Sequence, residues 1–118
     1  MPNRMKNYKA AFSYAFNGLR IFVRTERNAP IMLMASIVAI GLSAYFKLNA
    51  TEWLFICLSI CMVFGAELFN TSLEQLSDRL IPERDDAVKM VKDLAAAGSM
   101  FAVLFALISA LLIFIPKL

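Results

Sequence analysis

The chain has no histidine at all. That absence excludes Ser-His-Asp and Cys-His catalysis and any zinc site built on imidazole. Cysteine is nearly as scarce. Cys57 and Cys61 are the only two, on one helix face, too few for a disulfide framework and with no other soft ligand nearby. They read as packing residues. The four glycines are scattered, with no GxxxxGK run to cradle a phosphate, and there is no internal repeat. Charge is sparse as well. Only 18% of the 118 residues are charged and 60% are hydrophobic, against about 25% and about 45–50% in an ordinary soluble domain. A soluble chain this short buries only about 60–70% of what it exposes when unfolded, so much apolar surface would stay wet. A bilayer removes the difficulty. No segment has the layout of a cleaved signal peptide, since the first long apolar run starts only near Pro30.

Three apolar runs are present. Pro30 to Phe46 is 17 residues without a charge, and Leu94 to Ile115 is 22. The middle run is uncharged from Trp53 through Ala66 and continues as helix-compatible sequence past Glu67. A hydrocarbon core of about 30 Å needs roughly 20 helical residues, with about 17 near the lower limit. The expectation is an all-α membrane protein: one domain over 1–118, with an N-terminal amphipathic surface helix and three transmembrane helices per protomer. The surface helix is placed at about 5–25 and the spans at about 30–47, 53–76 and 94–115. A buried helical hairpin in a soluble protein is the alternative.

Basic residues set the topology. Arg4, Lys6, Lys9, Arg20, Arg24 and Arg27 precede the first span with Glu26 as the single acid there. Arg79, Arg84, Lys89 and Lys92 fall between the second and third spans, whereas 47–52 holds only Lys47 and Glu52. By the positive-inside rule the N-terminus and the 77–93 segment are cytoplasmic, and the 47–52 turn and the C-terminus lie outside. The net charge of +3 therefore marks the cytoplasmic leaflet and calls for no nucleic acid. Before the first span, Met5, Tyr8, Phe12, Phe16, Leu19 and Val23 recur at helical spacing opposite Lys6, Lys9, Arg20 and Arg24. Such a helix suits the headgroup layer, and its aromatic positions can also wall a site at the interface.

The informative stretch is GAELFNTSLEQLSDRL, at the end of the second span. With Glu67 at zero on a helical wheel, Asn70 falls at about −60°, Thr71 at about +40°, Glu74 at about −20° and Asp78 at about +20°. Phe69, Leu73, Leu76 and Leu80 occupy the opposite side. If Trp53 marks the outer interface, Glu67 lies about 21 Å further along the axis, inside the hydrocarbon, and Glu74 at about 31 Å, at its inner edge. An ionisable group in a span costs about 2.5–3.5 kcal/mol on insertion scales, so it normally faces protein or water and has a function. Polar glue between helices is the bland alternative for Glu67 and Asn70. Three acids in register repel one another unless a cation sits between them. With no histidine, they suggest a hard cation such as Mg²⁺, which takes one or two carboxylates and leaves the rest to water and phosphate oxygens. Glu26, just before the first span, is a fourth acid at similar depth, or else a partner for Arg24 or Arg27. Lys92-Asp93, at the mouth of the third span, can pair with phosphate, or Lys92 is an ordinary snorkelling residue.

These residues carry a family resemblance. Glu26-Arg27-Asn28 before the first span, AELFNTSLEQLSD in the second and VKDLAAAG opening the third resemble the small bacterial integral-membrane lipid kinases, the diacylglycerol kinase and undecaprenol kinase family. The resemblance runs from about Phe12 to the end of the third span, and its ExxNTxxExxxD pattern is long. It implies a homotrimer in the bacterial cytoplasmic membrane, with active sites shared between neighbouring chains, and MgATP-dependent phosphorylation of a lipid alcohol. It implies that Glu67 is the catalytic base, acting with Asn70 and Lys92, and that Glu67 and Asn70 meet the lipid. It further implies that Glu26 and Glu74 hold the metal, and that Tyr14, Glu26, Glu74, Asp78, Glu83, Lys92 and Asp93 contact ATP. The sequence departs from the family at Asp85, where a His is common, at Asn7, where a basic residue is common, and over Ala29-Pro30-Ile31-Met32. These departures bear on nucleotide contacts and lipid preference and leave the acid stripe intact.

Two other classes fit parts of the pattern. A cation or proton path explains Glu67 but gives Lys92-Asp93 no role. A non-catalytic assembly protein explains the AAAGS run at 95–99 as a close-packing surface. Diacylglycerol and undecaprenol both present a primary hydroxyl beneath an apolar body, and the residues do not choose between them.

Overall fold

In the computed structural model the described residues, 8–118, are helical with no strand among them. Helix α1 covers Tyr8–Thr25, α2 Ala29–Tyr45, α3 Ala50–Leu80 and α4 Asp86–Phe114, and a 3-10 turn at Ile115–Lys117 closes the chain. Positions 5–7 of the amphipathic pattern, Asn7 among them, lie outside the described residues. Two compact units divide between Leu33 and Met34.

In the N-terminal unit, α1 exposes both its polar and its apolar faces, with Phe12 and Phe16 open and Phe22 buried near its end. The helix breaks at Glu26-Arg27-Asn28. There the Glu26 N–H donates to the Phe22 carbonyl at 2.9 Å and the Ala29 N–H to the Glu26 carbonyl at 3.2 Å. Pro30 follows in the first turn of α2, where a missing N–H costs nothing.

In the second unit, α2 ends at a non-glycine residue in the left-handed region, Lys47, with φ 53°. The Leu48 N–H reaches the Ser43 carbonyl at 3.1 Å and the Lys47 N–H the Ala44 carbonyl at 3.2 Å. These are the paired bonds of a Schellman close. Leu48 is thereby turned into a cluster with Ile56 and Ile113, flanked by Phe46, Trp53 and Phe114. Helix α3 starts with a capping box. The Glu52 N–H donates to Asn49 Oδ1 at 2.9 Å, and the Asn49 N–H to Glu52 Oε1 at 3.1 Å. The other Glu52 oxygen meets Lys117 Nζ at 3.2 Å, which ties the end of the chain to the start of α3. Helix α3 stops at Leu80 because Ile81 precedes Pro82 and is driven out of the helical region, to φ −134°, ψ 79°. Asp85 then opens α4, its Oδ1 accepting the N–H groups of Ala87 and Val88 at 2.8 and 3.0 Å.

Helices α3 and α4 run antiparallel and pack along one seam each. On α3 the covered positions include Ile56, Ser59, Val63, Glu67, Asn70, Glu74 and Ser77. On α4 they include Val88, Lys92, Ala95, Ser99, Ala102, Ala106, Ser109 and Ile113. Steps of three and four keep each set on one face. The α4 face is mostly alanine and serine, which lets two backbones approach closely where no hydrophobic effect drives them together. Away from the seam the side chains are large, apolar and exposed, as lipid requires; Phe69 is 76% exposed. Both α3 and α4 with its closing turn are long and apolar enough to cross a membrane. Helix α2 offers 17 residues without a charge.

Candidate active site

The polar stripe of α3 occupies the seam. Glu67, Asn70, Thr71 and Glu74 are half-buried, while Phe69, Leu76 and Leu80 on the opposite face are open. Helical periodicity places the four together, because steps of three or four residues return to one face. The spacing from Glu67 to Glu74 is two turns, about 10 Å. Ser72, on the outer side, spends its hydroxyl on its own helix, donating to the Leu68 carbonyl at 2.8 Å.

Nearest the loop, Lys92 Nζ of α4 is paired with Asp78 Oδ1 of α3. One turn of α4 away, Lys89 Nζ meets Asp93 Oδ2 at 2.7 Å. Lys92 and Asp93 are adjacent in sequence but serve different partners: Lys92 reaches across to α3, and Asp93 points back along its own helix. The Asn70 amide nitrogen faces Glu74 Oε1 at 3.4 Å. Its oxygen, Oδ1, is buried without a hydrogen-bond partner. Glu83 is exposed in the loop between Leu80 and Asp86. Tyr14 and Glu26 belong to the N-terminal unit, where Tyr14 stands partly exposed on α1. Glu26 Oε1 accepts the Asn28 N–H at 3.4 Å at the helix break.

The structure thus brings Asn70 to Glu74 and Lys92 to Asp78. Among the described residues no three Asp, Glu or Cys side chains converge on one point. A site using one or two carboxylates, with water and phosphate filling the other positions, matches hard Mg²⁺. The half-buried carboxylates of the stripe, Glu67 and Glu74, supply hard oxygen donors and no soft one. Oxygen donors of this kind fit magnesium.

Three structural features escape a reading by charge and hydropathy alone. Asp85, the departure from the family's common His, is the N-cap of α4. Asn49 and Glu52 form the capping box of α3, announced by an N-x-x-E spacing ahead of an apolar run. Ser99 is the third. It is 5% exposed, and its Oγ has no hydrogen-bond partner.

The geometry defines a membrane protein with a hard, oxygen-lined polar seam between two apolar helices. Residues 13–114 match the family described as prokaryotic diacylglycerol kinase. The undecaprenol kinase of Bacillus subtilis (strain 168) is 35% identical, over 98% of this chain and 94% of that protein. The diacylglycerol kinase of Synechocystis sp. is 28% identical, over 95% of this chain and 65% of that protein. The diacylglycerol kinase of Helicobacter pylori is 25% identical, over 89% and 84% respectively. The chain belongs to the prokaryotic diacylglycerol kinase family. It is a lipid kinase embedded in a membrane, which decides for an enzyme over an ion path or a passive assembly protein.

Proposed function

We propose that the chain transfers the γ-phosphoryl group of ATP to the primary hydroxyl of a membrane lipid alcohol, with Mg²⁺ as its cofactor. The observation that carries the reading is the half-buried acid face of α3, running along the α4 seam from the apolar middle of the helix to the Asp78–Lys92 pair. Glu67, deepest in the apolar stretch, is the base. The alcohol oxygen bonds to the γ-phosphorus, the bond from that phosphorus to the β–γ bridging oxygen breaks, and ADP leaves with the electron pair. The alcohol proton passes to a Glu67 carboxylate oxygen. Glu74 and Glu26 would hold the metal, which when bound would neutralise charge on the phosphate oxygens. Lys92 stabilises charge that develops on the transferring group. Asn70 orients the reacting oxygen, and Asp78, Glu83, Asp93 and Tyr14 position the nucleotide. The bilayer delivers the acceptor laterally to the seam, while ATP arrives from the loop end.

The placement follows from the same reading. Helix α2 supplies a third span, α1 lies in the headgroup layer, and the N-terminus faces the cytoplasm of a bacterial cell. In keeping with the family resemblance, the working unit is a homotrimer whose sites are shared between neighbouring chains, one catalytic domain per chain. The acceptor we favour is undecaprenol, on the 35% identity to the undecaprenol kinase; the family description favours diacylglycerol as a second reading. In mixed micelles holding both alcohols and labelled ATP, wild-type protein labels undecaprenol in preference. Glu67→Gln, folded by circular dichroism, loses labelling of either alcohol; near-wild-type labelling by that variant removes Glu67 as the base.

A further inference from the structure

Hydroxyls on membrane helices have a default partner, the carbonyl four residues back. Among the described residues Thr25, Ser43, Ser59 and Ser72 all take it, donating to Ile21, Ala39, Phe55 and Leu68 at 2.7–2.8 Å. Ser99 does not. Its Oγ is buried and unpartnered, and among the described residues the only other buried side-chain polar atom without a partner is Asn70 Oδ1.

Counting residues from the contacts at either end of the seam puts the two positions at one level. Asp78 is paired with Lys92 at the loop end, and Ile56 and Ile113 share a cluster at the other. Counting eight residues inward from Asp78 gives Asn70, and eight from Lys92 gives position 100. Counting fourteen inward from Ile56 and Ile113 gives Asn70 and Ser99 themselves. The pair is therefore level to within a residue, between Glu67 and Glu74. The Asn70 and Ser99 side chains do not bond each other, since neither atom has a partner. An unmet buried hydrogen-bonding group costs more than an ordinary hydrogen bond contributes, so two at one level mark a place built for a third group.

We infer that Ser99 and Asn70 together bind a hydroxyl group between α3 and α4, either that of the acceptor alcohol or that of a water fixed beside it. The chemistry is complementary. Asn70 Oδ1 only accepts, and Ser99 Oγ–H donates, so one O–H group satisfies both by giving its hydrogen to Asn70 and receiving one from Ser99. Ala95 and Ala102, one turn to either side of Ser99, are also covered and carry no polar atom. The Asn70 nitrogen is already turned to Glu74, which leaves its oxygen for this role. The inference rests on the kinase reading and adds Ser99, a residue outside the acid stripe, to the acceptor side of the site.

The test is Ser99→Ala in the full-length protein, with Ser72→Ala as control, in micelles of undecaprenol or diacylglycerol with varied ATP. Removing a hydroxyl that truly has no partner leaves activity intact and the melting temperature equal or higher. Removing one that holds an O–H group lowers kcat/KM for the lipid about three- to tenfold, while the ATP KM stays unchanged. A loss carried by the lipid KM identifies the alcohol as occupant; a loss carried by kcat, with both KM values unchanged, identifies the water. Ser99→Thr, which keeps the hydroxyl, recovers activity above Ser99→Ala. Ser99→Ala within twofold of wild type in kcat/KM, with an unchanged or raised melting temperature, overturns the inference alone. Wild-type protein that labels neither alcohol sinks the kinase reading instead.

Discussion

Ala102 is the position at which close packing between α3 and α4 can be tested most sharply. It is 5% exposed, and counting eleven residues inward from Ile56 and Ile113 sets it level with Glu67. Ala102→Leu adds three carbons to a seam whose neighbouring α4 positions, Ser99 and Ala106, are small. Overpacking of that kind costs about 1–3 kcal/mol. The helices relieve it by moving apart, and a shift of about 1 Å in a positioned catalytic group can cost about 100-fold in rate. The expected result is a lower thermal midpoint in detergent and an ATP-dependent lipid phosphorylation rate down by about two orders of magnitude. Val103→Leu is the matched control, because Val103 points outward and is 47% exposed; it leaves both readouts near wild type. Should Ala102→Leu behave like Val103→Leu, the seam is not closed at the level of Glu67, and the account of how α4 holds the acid face is wrong.

Two further perturbations separate stability from catalysis. Asp85→Ala removes the acceptor for the Ala87 and Val88 N–H groups and costs about 1 kcal/mol, read as a lower thermal midpoint; Asp85→Ser recovers most of it. Lys92→Gln breaks the pair with Asp78, but both partners meet solvent, so the stability change stays under about 1 kcal/mol. Its proposed charge on the transferring phosphoryl group is another matter, and kcat falls about 100-fold; equal losses in stability and rate would return Lys92 to a purely structural role.

The helical class and the acid face were legible because both are periodic. Glu67, Asn70 and Glu74 fall on one side of any α-helix, and the seam covers that side. Helix ends were less legible from hydropathy, which measures only the part that lipid can cover. Helix α3 continues to Leu80, past an apolar stretch ending near 76, since Asp78 and Arg79 oppose membrane burial but not helix formation. Helix α4 likewise begins at Asp86, eight residues before Leu94, because a cap and not an apolar residue starts it. Contacts between helices lay furthest from the sequence. Nothing in the 14-residue separation of Asp78 and Lys92 announces their pairing, and Ser99 looks like one more small residue in AAAGS until its hydroxyl is seen to lack a partner. The family resemblance held over residues 13–114.

The alanines of α4 also set a size limit. Positions 95, 102 and 106 are covered alanines on the face of α4 that packs against α3, and small residues at such a face let helices close up with little width left for a hydrocarbon tail. On the proposed reading, the acceptor leaves its chains among the surrounding lipids and extends only its leading atoms inward. Discrimination among alcohols is therefore exercised within the first few bonds behind the oxygen, and lengthening or shortening the tail changes how the molecule partitions far more than how it is received.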